Sequence, residues 1–131
     1  MTFAELRVDV VILCCAVTAG IHAALVPAHF EEGTGPGVGF ILASLAPAAA
    51  AVLLTRRPSR LALAGTAAVF AGLIVSYLVV LAYGLPVLHP EREPVEGLAV
   101  WTKVIEATGL AVAAGCLRRP AAVLADGTVT T

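Results

Sequence analysis

The sequence predicts an all-α, polytopic integral membrane protein: a four-transmembrane-helix bundle in the cell membrane with N- and C-termini cytoplasmic. Three observations carry that prediction. The 131 residues are 60% apolar and 13% charged, a balance typical of chains solvated by lipid rather than water. Four apolar runs, each near the roughly 20 residues that cross a hydrocarbon core of about 30 Å, are separated by charges, glycines and prolines. Arg7, Arg56, Arg57, Arg60, Arg118 and Arg119 then fall on one side of the membrane against Arg92 on the other, and basic flanks stay cytoplasmic.

The first helix is placed at 8–28, entered past Arg7 and Asp9 and left at Pro27 and His29. It reads as a retained span rather than a signal peptide, because no clear small-residue cleavage site follows and Leu13 spoils a lipobox before Cys14. The second helix is placed at 37–55, ended by Arg56, Arg57 and Pro58, with a bend expected at Pro47. The glycines of 33–39 read as a turn: no Lys-Ser/Thr follows and no strand precedes, as a phosphate loop would require.

The third helix, 61–85, carries Ala64, Ala68, Gly72 and Ser76 at every fourth position. Such a stripe of small residues is expected to let a neighbouring helix approach closely. The fourth helix, 95–117, stops at Arg118, Arg119 and Pro120 and offers a similar surface at Gly109 and Ala113. Tyr83 and Trp101 fall near the outer boundary, where aromatic anchors sit. Residues 1–120 thus form one transmembrane domain, and 121–131 read as a flexible cytoplasmic tail.

Composition also excludes functions. With a net charge of −1 and no basic run interleaved with aromatics, the chain has no electrostatic footing for nucleic acid. Cys14, Cys15 and Cys116 lie in apolar runs without a C-x-x-C pair, which argues against thiol exchange and for small buried side chains. The chain contains neither Asn nor Gln, so polar chemistry falls to few residues.

Ionisable groups in hydrocarbon are costly and mark function by default. His22, Lys103 and Glu106 lie inside the apolar runs. At 1.5 Å per residue from the outer helix ends their depths come to about 9, 8 and 12 Å. Ser44, Ser76, Tyr77 and Thr102 fall at similar depths, so all four helices contribute to one intramembrane polar layer. On the first helix Cys15, Thr18, His22 and His29 make one stripe; on the fourth, Thr102, Glu106, Gly109 and Ala113 share an inward face on which Lys103 and Glu106 can pair. Alternatively Lys103 snorkels to the headgroups while His22 and Glu106 fix helix register.

The outer loops hold His29, Glu31 and Glu32 on one side and His89, Glu91 and Glu93 on the other, about sixty residues away but on the same membrane face. Imidazole with carboxylate suits a divalent transition metal such as Zn or Cu(II), although no sharp metal motif such as H-E-x-x-H occurs. The solvating alternative is that these groups cap helices and wet short loops. The favoured expectation is a small binding or transport protein with an outward-facing His/Glu metal site linked to the polar layer. With four helices it would act as a homo-oligomer or beside a larger membrane-protein partner. The alternatives are an accessory subunit of a membrane complex and, less favoured, an enzyme using His22 or Glu106 on a lipid or quinone-like substrate; no catalytic set is legible.

Overall fold

A computed structural model of the chain describes residues 3–84 and 96–118. Among them every regular element is a helix: α1 (Phe3–Glu32), α2 (Thr34–Arg56), α3 (Arg60–Tyr83) and α4 (Gly97–Leu117). Each is long and apolar enough to cross a membrane, where a helix closes its backbone hydrogen bonds within itself. Leu13, Leu45, Leu61, Val75, Leu78 and Val104 face outward, as a surface in contact with lipid allows. The α1–α2 turn marks one end of the bundle, the Gly33 end. The connection from α2 to α3 marks the other, the Arg57 end.

The helices form a ring in which α1 packs most extensively on α2, α4 lies against α1 and α3, and α2 meets α3 along the slimmest contact. The core gathers at the Arg57 end. Val11, Cys14 and Cys15 of α1, Ala50 and Leu54 of α2, Leu63 and Phe70 of α3, and Ala113 and Cys116 of α4 make one buried cluster. All three cysteines are buried and free, in line with their reading as small apolar side chains.

Local chemistry fixes the helix ends. Ser59 caps α3, its Oγ accepting from the Ala62 N–H at 3.1 Å, which satisfies one donor that helical geometry leaves unpaired. At the same end Arg60 donates from Nη2 to the Leu117 carbonyl at 2.6 Å, tying the start of α3 to the end of α4. The turn between α1 and α2 is Gly33 alone, with φ 155°, a backbone region that side chains other than glycine's rarely enter. It is so tight that a Cβ on Gly37 would overlap the ring of Phe30.

Three expectations change here. α1 runs through Pro27 to Glu32 instead of ending at residue 28, which places His29, Glu31 and Glu32 in its last turn rather than in a loop; membrane helices tolerate an internal proline where the freed carbonyl finds other partners. The glycine-rich stretch is helical from Thr34 onward, because in a tight hairpin small residues let α1 and α2 touch. The stripe of Ala64, Ala68, Gly72 and Ser76 does not bury itself against a neighbour. All four are exposed, and a Cβ on Gly72 would meet nothing within 4 Å. The close approach occurs at Gly109 instead, where a Cβ would come within 2.5 Å of Phe70 Cε2 and 3.0 Å of Cys14 Cβ.

Candidate functional site

Two helix faces meet at the middle of the bundle. On α1, Val11, Cys15, Thr18, His22 and His29 are buried along one stripe, at steps of three, four and seven that keep side chains on one side of a helix. On α4, Thr102, Glu106, Gly109, Ala113 and Cys116 are buried in the same manner. Toward the Arg57 end these stripes pack tightly. Toward the Gly33 end they turn polar.

Glu106 is fully buried. Its Oε2 accepts from Lys103 Nζ at 2.5 Å, one helical turn away on the same face. Lys103 also reaches 3.5 Å from the Leu73 carbonyl and lies 5.3 Å from the centroid of the Tyr77 ring, within cation–π range. The other oxygen, Oε1, accepts no hydrogen bond among the described residues and faces His22 Nε2 at 3.9 Å. Thr18 Oγ1 is likewise buried without a partner.

The orientation of His22 comes from its own helix. Its Nδ1 lies 2.9 Å from the Thr18 carbonyl, and a carbonyl only accepts, so Nδ1 carries the hydrogen. In the neutral ring Nε2 is then an acceptor. His29 repeats the arrangement seven residues later, with Nδ1 2.9 Å from the Leu25 carbonyl. Phe40 of α2 joins the two: its ring stacks on His29 at 3.4 Å between centroids and tilts against His22 at 5.6 Å.

Above this cluster, in the Gly33-end half, opens a cavity of about 420 Å³. His22, Lys103, Ser76, Tyr77 and Thr102 supply its polar patches, and Ile21, Leu25, Ala43, Val69 and Leu73 are among its apolar walls. Its exposed lining residues are Leu42 and Ala46 on α2, Ala68, Gly72 and Ser76 on α3, and Glu96 and Leu98 at the start of α4. The mouth therefore lies along the slim α2–α3 seam, on the flank of the bundle, and continues to the Gly33 end.

Of the residues expected in the polar layer, His22, Lys103, Ser76 and Tyr77 line this cavity, and Glu106 sits directly behind Lys103 and His22. Ser44 does not line it; its hydroxyl donates to the Ile41 carbonyl at 2.8 Å, the local bond that serine makes within helices. Of the expected metal ligands, His29 lines the cavity, whereas Glu31 and Glu32 are exposed at the end of α1. His89, Glu91 and Glu93 lie outside the described residues. Among the described residues no three His, Cys, Asp or Glu side chains are grouped as metal ligands.

Sequence reading missed Phe40 and the orienting role of Thr18. The orienting group is the main-chain carbonyl of Thr18, which the sequence does not distinguish from that of any other residue placed four before His22. Nothing in the sequence marks Phe40, because its role depends on how α2 docks on α1. No family model, curated protein or solved structure matches the chain.

Proposed function

We propose that the protein binds a lipid-like amphiphile, taken sideways from the bilayer into the groove between α2 and α3, with its polar head on His22 and Lys103 and its chain along the apolar walls. The observation that carries this reading is a groove of mostly apolar walls, open on the α2–α3 flank, whose floor holds an imidazole and the half-buried Lys103 paired with fully buried Glu106. Its volume of about 420 Å³ falls in the range of ligand sites, roughly 300–1,000 Å³. An ionised pair inside a membrane is costly and persists where it serves function. If the arginine-rich Arg57 end faces the cytoplasm, the groove draws on the outer leaflet. The reading keeps the binding role but replaces the expected divalent metal with the lipid- or quinone-like class that the sequence suggests only as an enzyme's substrate, and sets the intramembrane layer, rather than the rim, at its centre.

The test is retention of lipid by protein extracted in polymer-bounded native membrane discs, read by mass spectrometry. Gly72→Phe fills the groove from a position where added atoms meet no neighbour. Wild type is expected to hold one lipid-like species in fixed ratio, and the variant roughly tenfold less, a change of about 1.4 kcal/mol in affinity. Equal retention by both proteins would overturn the proposal.

A further inference from the structure

The polar floor of the groove is short of one kind of group, a hydrogen-bond donor aimed at His22. Because Nδ1 of His22 donates to the Thr18 carbonyl, the neutral ring presents the Nε2 lone pair. Opposite it, at 3.9 Å, stands Glu106 Oε1, fully buried and without a hydrogen bond among the described residues; with the carboxyl ionised on the Lys103 ammonium, this oxygen is a second acceptor. Two acceptors facing each other in a low-dielectric interior repel, and each goes unsatisfied. Lys103 does not resolve this, since its ammonium donates to the other carboxylate oxygen and toward the Leu73 carbonyl rather than to Nε2.

From this we infer that the ligand's head is a hydroxyl, which donates to Nε2 of His22 and accepts from Nζ of Lys103; the groove selects a neutral membrane alcohol or quinol. The inference rests on the amphiphile-binding reading above and narrows it. His22 and Lys103 both line the cavity, and their nitrogens flank one carboxylate, Nζ at 2.5 Å from Oε2 and Nε2 at 3.9 Å from Oε1 of Glu106. A hydroxyl carries one donor and two lone pairs, which matches one acceptor and one ammonium. A quinone, ester or ether oxygen accepts from Lys103 but leaves Nε2 facing Oε1. Charge excludes the other heads: Lys103 and Glu106 neutralise one another, so a phosphate or carboxylate adds a negative charge beside Glu106, and an amine adds a positive one beside Lys103.

The hydroxyl could belong to an isoprenoid alcohol or to a quinol, and paired probes separate these sources. Binding to wild-type protein in phosphatidylcholine nanodiscs is measured for decylubiquinol against decylubiquinone, and for farnesol against its methyl ether. In at least one pair the hydroxyl member is expected to bind roughly tenfold tighter, and the pair that discriminates names the source. His22→Phe, which keeps a ring of similar size, is expected to erase the preference without abolishing binding. Equal affinity within both pairs would overturn the hydroxyl head while leaving the groove reading intact; binding of no probe above the empty-disc background would overturn both. Histidine ¹⁵N spectra provide a second measurement, with the His22 signal assigned by its loss in His22→Phe. They are expected to show one protonated nitrogen, Nδ1, and a shift of Nε2 when the preferred probe is added. An imidazolium with both nitrogens protonated, or a Glu106 carboxylic acid seen in the infrared carbonyl region, would overturn the proposal, since either group would then supply the missing donor.

Discussion

On its packed side Phe70 lies against Gly109 and Cys14 so closely that a Cβ on Gly109 has no room, whereas Gly72, two residues further along α3 toward the Gly33-end half, faces open space. The same four helices build both halves. In the first, small residues on α4 let large ones from α3 seat fully, and the buried side chains are apolar apart from threonines such as Thr66. In the second, the small residues lie on α3 where α2 stands away, and they widen a groove above a buried ion pair. The difference teaches that a small residue in a membrane helix is a packing device only when a neighbour comes to meet it. Close packing in one half lets the other carry a cavity and an ionised pair.

That contrast can be broken at several points. The largest effect is expected from Glu106→Leu, which leaves the half-buried Lys103 without its carboxylate and should destabilise the bundle by up to about 3 kcal/mol. Unfolding monitored by steric trapping in bicelles would measure it, and Lys103→Met added to the same protein should restore most of the loss. Gly109→Leu comes next: the new side chain must displace Phe70 and Cys14, at about 1–3 kcal/mol, in the same assay. Arg60→Ala removes the donor to the Leu117 carbonyl and should cost about 0.5–1 kcal/mol, with faster amide exchange in the last turn of α4. Gly72→Phe should change stability by less than about 0.5 kcal/mol while lowering ligand retention roughly tenfold. If Gly72→Phe instead destabilises as much as Gly109→Leu, the two halves are alike and the groove is not open.

Much of this architecture is legible in the sequence. The four spans follow from apolar runs of sufficient length, and the inward face of α4 from the spacing of Thr102, Glu106, Gly109 and Ala113. The shared depth of His22, Lys103 and Glu106 follows from counting at a fixed rise per residue. What the sequence does not give is which helices touch. The stripe on α3 has the pattern of a contact surface but faces the groove, because a periodic pattern names a face and not its neighbour. Ser44 has the right depth but bonds its own helix, a choice that depth alone leaves open. Phe40 joins two histidines only because α2 folds back tightly at Gly33, and the end of α1 runs on past a proline that would break a helix in water.

The openness around Gly72 has a consequence for how such a protein can change. Substitutions at Gly109 are constrained by Phe70 and Cys14, so that position tolerates little drift. Gly72 and Ala68 line a wall that no other side chain fills. A single substitution there can reshape the ligand space at little cost to folding, so the bundle can acquire a taste for shorter or bulkier chains while the machinery at His22, Lys103 and Glu106 stays as it is.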